Sequence, residues 1–69
     1  MTNIKSVSVH LYKNGGMSVF ITYPNKNKYR NDRVRFYSYI PKTAQKFIGT
    51  AQYKQTSVYP DVIFETYSN

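Results

Sequence analysis

A dense run of cations with aromatic neighbours is the part of this sequence best suited to chemistry. Between residues 26 and 35 the cations are Lys26, Lys28, Arg30, Arg33 and Arg35. The aromatic residues within the run and directly after it are Tyr29, Phe36, Tyr37 and Tyr39. Ammonium and guanidinium groups attract phosphate whatever the base sequence, and aromatic rings stack with unpaired bases. The run therefore predicts a nucleic-acid surface, for DNA or RNA, that prefers single strands.

The first part of this run predicts an exposed basic loop at residues 24–33. Lys26, Lys28 and Arg30 alternate with Asn and Tyr, so an extended segment would carry all three cations on one side. There they could hold successive phosphates, and each neutralised phosphate would steepen the salt dependence of binding by about 0.7 to 0.9 log units. A loop rich in Asn and Lys is also typical of a simple solubilising connection, and the sequence leaves both interpretations open.

The whole chain is strongly basic, with 10 Lys and Arg, 3 Asp and Glu and a formal net charge of +7. A field of this sign speeds encounter with polyanions. We expect no membrane partner, because the helix predicted within residues 43–54 (see below) has only a small apolar face. Tyr and Arg are enriched in protein hot spots, so the alternative function is a small interaction or inhibitor module that docks on an acidic partner protein. Size and composition are those of the small basic proteins that viruses and mobile elements encode.

Catalytic and metal-binding residues are few. The chain has no Cys, one histidine (His10) and three scattered acidic residues, which offer no evident acid-base pair and no set of metal ligands. A GxxxxGK[ST] phosphate loop and an RNP-like, KH or cold-shock motif are also absent. We therefore predict a non-catalytic protein without cofactor or metal. One catalytic class stays open by composition alone, that of small bacterial toxins that cut RNA with Arg, Lys, Tyr and His.

Length and composition limit how the chain is organised. Its 69 residues are expected to form one domain, 1–69, that buries only about 60% of its unfolded surface. No apolar run approaches the ~20 residues of a membrane span, and no signal-peptide h-region is present, so we expect a cytoplasmic protein. An open strand edge could pair with a second copy, which makes a homodimer compatible with the sequence.

The N-terminal half predicts a hairpin. Residues 4–13 and 17–23 alternate between apolar and polar types around Asn14-Gly15-Gly16. We expect residues 14–16 to form a three-residue loop, with Gly16 in a left-handed conformation at a bulge. This register gives three apolar cross-strand pairs, namely Leu11 with Val19, Val9 with Ile21, and Val7 with Tyr23.

A third strand is expected at residues 33–40, with Val34, Phe36 and Ile40 directed towards the core. Its other side would then join the outer side of the hairpin. The resulting predicted platform comprises His10, Tyr12, Phe20, Arg33, Arg35, Tyr37 and Tyr39. Tyrosine rings on such a surface would stack bases, each worth about 1 to 3 kcal/mol. The alternative is that the helix packs on this side and makes the platform part of the core.

The C-terminal half predicts a helix followed by a strand. Ala44, Phe47, Ile48 and Ala51 recur with helical spacing, although Thr50 and Tyr53 also favour a strand in residues 43–54. A final strand is expected at residues 58–67, where Pro60 delays its start. The predicted fold is therefore α+β, a small antiparallel sheet in the order β-β-β-α-β with one short helix. A five-stranded, barrel-like all-β fold is the alternative.

Overall fold

In the described part of the chain, five antiparallel strands form one open sheet, and a single helix covers one of its faces. The structure, a computed structural model, describes residues 3–27 and 29–69. The elements in chain order are β1 (Ser6–Tyr12), β2 (Met17–Tyr23), β3 (Arg33–Tyr37), α1 (Lys42–Thr50), β4 (Tyr53–Val58) and β5 (Val62–Ser68). The strands lie in the order β3-β2-β1-β5-β4. The α+β prediction is confirmed, and the barrel-like alternative is wrong because the sheet does not close.

The sheet contains a strand that the sequence did not predict. The expected final strand at residues 58–67 divides at a turn, where the Tyr59 N–H donates to the Val62 carbonyl at 2.9 Å, and residues before the turn form β4. Most side chains of β4 are polar on both sides because it lies at the edge of the sheet, beyond the helix. Such a strand lacks the alternation that marks a half-buried one. Residues 43–54 therefore hold the predicted helix, and the strand that was the alternative for this range begins only at Tyr53.

The first hairpin has the predicted faces but not the predicted register. Val7 pairs with Ile21 and Val9 with Val19, two positions away from the expected partners. The cause lies in the turn, where Gly15 and not Gly16 has positive φ, at 92°, so the loop consists of residues 13–15. Because the shift is an even number of residues, every side chain stays on its expected side of the sheet.

The core lies between α1 and the middle of the sheet. Its buried members are Val7, Val9, Val19, Ile21 and Ala44. Ala44 is the buried residue of the helix, and its small side chain allows the helix backbone to approach β1 closely. Burial of each Val or Ile side chain contributes roughly 1.5 to 3 kcal/mol. We call the covered side of the sheet the helix face and the other side the open face.

The third strand faces the opposite way from the prediction. In its pairing with β2, Tyr37 lies opposite Val19 and Arg35 opposite Ile21, so the odd-numbered residues of β3 share the helix face. Val34 and Phe36 lie on the open face instead, where they are 57% and 61% exposed. The predicted platform is therefore wrong as a single surface. Because β3 ends at Tyr37 and not at residue 40, Ile40 still reaches the core, as expected.

Candidate nucleic-acid interface

A broad cleft lies on the helix face at the β3 edge of the sheet. It has a volume of about 1460 Å³. Its lining consists of Asn3, Tyr23, Pro24, Asn25, Lys26, Asn27, Arg30, Arg33, Val34, Arg35, Tyr37 and Thr43. We call this space the cationic cleft, because Lys and Arg supply its charged lining and none of the described lining residues is Asp or Glu.

The cleft exists because the helix is too short to cover the whole sheet. A helix of nine residues is only about 14 Å long, and α1 lies over the central strands. The outer part of β2 and β3 on this face is left open, so Arg33 and Arg35 are exposed there. The loop of residues 24–32 forms one wall, and Thr43 at the start of the helix lines the other side.

Two tyrosines give the cleft rigid aromatic walls. Tyr23 and Tyr37 are half-buried and pack against the core on one side while they line the cleft on the other. The ring of Tyr39 meets that of Tyr37 edge-on, with 5.8 Å between ring centroids. Rings fixed in this way lose little conformational entropy when a ligand stacks on them.

A network centred on Asp32 ties down the β2–β3 loop. One carboxylate oxygen of Asp32 accepts from Lys5 Nζ at 2.7 Å, and the other accepts from the Asn25 N–H at 3.3 Å. The Asn25 side chain closes the loop by donating from Nδ2 to the Asn31 carbonyl at 3.2 Å. These hydrogen bonds, that of Lys5 above all, lower the pKa of Asp32 below its ordinary value of 3.8. The network fixes both ends of the loop that carries Lys26 and Arg30.

The cations of the cleft keep their charge available for an external anion. Within residues 3–27 and 29–69, the ion pairs are Lys5 with Asp32 and Lys54 with Glu65. Neither lysine lines the cleft. In the second pair, at 3.0 Å, the hydrogen bond to Glu65 raises the pKa of Lys54 above its ordinary value. The carboxylates that do form ion pairs therefore neutralise cations elsewhere on the surface.

The structure brings together half of the predicted site residues. Those that line the cationic cleft are Lys26, Arg30, Arg33, Arg35 and Tyr37. Tyr39 lies beside the cleft through its contact with Tyr37, and Tyr29 is 88% exposed on the same loop. Lys28 lies outside the described residues. Tyr23 also lines the cleft; it was not among the predicted site residues, although its place at the end of the alternating stretch 17–23 put it on the same side as Ile21.

His10 and Tyr12 belong to a different surface, so the prediction that they share a face with Arg33 and Arg35 is wrong. On the open face His10 lies between the rings of Phe20 and Phe64, at centroid distances of 4.8 and 4.3 Å. Phe36 extends this row at one end, 5.3 Å from Phe20, and Tyr59 at the other, 5.2 Å from Phe64. We call these five rings the aromatic stripe; the members are Phe36, Phe20, His10, Phe64 and Tyr59.

No protein-family model, curated protein or solved structure matches the chain. A proposal for the function therefore rests on the residues themselves.

Two structural features bear on the expectations about metals and membranes. Among the described residues, no group of three or more His, Asp or Glu side chains is arranged to hold a metal ion. The same part of the chain has no helix with the length and apolar character that crossing a membrane requires.

Proposed function

We propose that this protein binds nucleic acid without catalysis, and that it prefers single-stranded DNA or RNA. The observation that carries the proposal is the cationic cleft, which Lys26, Arg30, Arg33 and Arg35 line together with two half-buried tyrosines. Cations hold phosphates, and ring faces accept bases that are free of a partner strand. A cleft with both groups offers one strand its two kinds of contact at once.

The preference for single strands rests on the place of the tyrosines. Tyr23 and Tyr37 line the cleft while their inner sides pack on the core, so only an unstacked base could bring its face against them. Duplex DNA keeps its bases stacked inside the helix and offers the cleft phosphates alone. A duplex would therefore gain the electrostatic contribution but not the stacking contribution, which is about 1 to 3 kcal/mol per base.

Fluorescence anisotropy at two salt concentrations tests this function. The protein is titrated into labelled single-stranded DNA, single-stranded RNA and duplex DNA at about 50 and 200 mM salt, a range over which binding to several phosphates is resolved. We expect the single strands to bind more tightly than the duplex, and to keep that advantage at the higher salt. Equal binding to all three that disappears at the higher salt would contradict the proposal and indicate nonspecific charge attraction.

A matched pair of double variants locates the site. Arg33→Ala with Arg35→Ala removes two cations from the cleft, and we expect the salt slope on single strands to fall by about 1.4, or about 0.7 for each phosphate that is no longer neutralised. Lys13→Ala with Lys46→Ala removes the same charge from exposed positions outside the cleft. The control should change the slope less. Equal effects of both variants would mean that net charge alone drives binding.

The same variants also test the alternative function, that of a module that docks on an acidic protein. That function would be indicated by stoichiometric capture of one protein, with no nucleic-acid affinity at the higher salt. Failure of that capture in the Arg33 and Arg35 variant would then assign the cationic cleft to a protein partner.

A further inference from the structure

The described strand residues of the open face differ in character from the chain as a whole, which is strongly basic. None of the described strand residues on this face is Lys, Arg, Asp or Glu. The register places there Val34, Phe36, Ser18, Phe20, Thr22, Ser6, Ser8, His10, Tyr12, Val62, Phe64, Thr66, Ser68, Tyr53, Gln55 and Ser57. The helix face, in contrast, holds Arg33, Arg35, Lys54 and Glu65. Depletion of charged residues with enrichment of aromatic ones is typical of the core of a protein interface.

The open face also has exposed aromatic rings and hydrogen-bonded hydroxyls, which favour its burial against a partner. Its aromatic stripe is exposed at both ends, where Phe36 and Tyr59 are 61% and 53% exposed. Four hydroxyls beside the stripe bond in two pairs: Tyr12 donates to Ser18 Oγ at 3.0 Å, and Ser8 Oγ lies 3.1 Å from Thr66 Oγ1. A partner that covered these four hydroxyls would leave none of them without a hydrogen bond, so the cost of burying these four groups would be small.

We propose that two copies of this chain associate through their open faces, with the aromatic stripes packed against each other. Five strands spaced about 4.8 Å apart and about 20 Å long give a face of roughly 500 Å² in projection. Two such faces bury about 1,000 Å² in total, near the lower limit for a specific interface. The dimer is therefore expected to be weak and to depend on protein concentration.

Charge decides between a second copy and other occupants of this face. Two molecules of net charge +7 repel each other, and the uncharged face lets them touch while their cations point outwards. A nucleic acid on the stripe would find no cation among the described strand residues of that face for its phosphates. Pairing through the exposed edge of β3 would bring Arg33 and Arg35 of both copies together, which like-charge repulsion opposes. In the proposed dimer both cationic clefts stay accessible.

Analytical ultracentrifugation without nucleic acid tests the dimer. We expect the mass to rise with concentration from 8.1 kDa towards twice that value. Dimerisation should strengthen when salt is raised from about 0.05 to 0.5 M, because salt screens repulsion between the two cationic copies. Nucleic-acid binding, in contrast, weakens when salt is raised. The two proposals therefore predict opposite salt dependences, and one can be wrong while the other is right. A mass that stays at 8.1 kDa up to about 1 mM, where even a Kd of that size would be detected, overturns the dimer.

Three single variants identify the face. Phe36→Glu and Tyr59→Glu each place a charge at an exposed end of the stripe, and each should weaken dimerisation at least tenfold. Tyr39→Glu makes the same change in charge at an exposed ring outside the stripe, and it should leave the dimer intact. All three lower the net positive charge, so reduced repulsion alone would favour association and cannot explain a weaker dimer. Circular dichroism checks that each variant is folded.

Two results with these variants would overturn the proposal. Equal dimerisation in Phe36→Glu, Tyr59→Glu and the parent protein would place any dimer on another surface. A monomeric parent protein whose single-strand affinity falls more in Phe36→Glu than in the Lys13→Ala, Lys46→Ala control, which removes more positive charge, would assign the stripe to base stacking instead.

Discussion

Tyr37 lies directly opposite Val19 in the pairing of β3 with β2, and this contact determines which side of β3 faces the helix. Because Tyr37 lies next to the core, Arg33 and Arg35, which share its side of β3, also lie on the helix face. They lie in the part of that face that α1 does not cover. The cationic cleft is a consequence of this one register. The same register turns Phe36 outward, where it completes the aromatic stripe.

Two replacements of Tyr37 distinguish its proposed role in base stacking from its role in packing against the core. Tyr37→Phe keeps the ring against the core and in the cleft, and we expect single-strand affinity to change little. Tyr37→Leu keeps an apolar side chain but removes the ring face, and it should weaken single-strand binding by about 1 to 3 kcal/mol. Anisotropy measures the affinities, and thermal denaturation followed by circular dichroism confirms that both variants fold. Equal affinities for Tyr37→Phe and Tyr37→Leu would argue against stacking on this ring.

Two valines test the orientation of β3. Val19 is fully buried, whereas Val34 is 57% exposed on the open face. Val19→Ala leaves a cavity in the core, and we expect it to lower the free energy of unfolding by about 1.5 to 3 kcal/mol. Val34→Ala should cost less than about 1 kcal/mol, mostly through β-propensity. Urea denaturation at low protein concentration gives both values for the monomer. A larger destabilisation by Val34→Ala would restore the orientation that the sequence suggested.

The sequence predicts the central hairpin well because one pattern determines it. Alternation in residues 4–13 and 17–23 places Val7, Val9 and Ile21 on one side with either three-residue loop, 13–15 or 14–16, since a shift by two residues preserves the faces. The helix is likewise predicted by its own local spacing. The basic cluster is visible in composition, and a large part of it does lie in one cleft.

The orientation of β3 was predicted wrongly although both of its sides are partly apolar. Val34 and Phe36 alternate with Arg33, Arg35 and Tyr37, so periodicity favours burial of the Val34 and Phe36 side, which the structure places on the open face. The choice depends on the register with β2 and on how far α1 extends, and neither is a local property of residues 33–40. The edge strand β4 was missed for a related reason. The helix does not cover it, so neither side of the strand has to be apolar, and its sequence lacks the alternation that marks a half-buried strand.

The turn of the first hairpin gives a prediction about two adjacent glycines. Gly15 has φ at +92°, a conformation that costs an L-residue with a Cβ roughly 1 to 2 kcal/mol. Gly15→Ala should therefore destabilise the protein by about that amount, and Gly15→Asn by less, because Asn tolerates left-handed backbone better. Gly16→Ala meets the end of the Asn14 side chain at 3.0 Å, which can shift, so we expect a smaller destabilisation. Urea denaturation ranks the three variants; a greater effect at Gly16 would contradict the turn described here.

The ion pair of Asp32 with Lys5 predicts how the loop responds to acid. Hydrogen bonds from Lys5 and from the Asn25 N–H lower the pKa of Asp32 below 3.8. A carboxylate whose folded-state pKa is lowered stabilises the native state above its ordinary pKa, and this contribution is lost as the pH falls through the folded-state value. The effect on global stability is expected to be small, because the pair is exposed to solvent. The local effect on the loop should be clear.

Nuclear magnetic resonance can follow this local effect through the Asn25 amide. When Asp32 is protonated its carboxyl group becomes a weaker acceptor, and the Asn25 amide signal should shift with a midpoint below pH 3.8. Lys5→Ala removes the largest cause of the lowered pKa, so the midpoint should move up towards the ordinary value. Asp32→Asn should abolish the transition while the rest of the spectrum stays folded. A midpoint at or above 3.8 in the parent protein would mean that the network does not hold the loop in solution, and the wall of the cationic cleft that carries Lys26 and Arg30 would then lack its anchor.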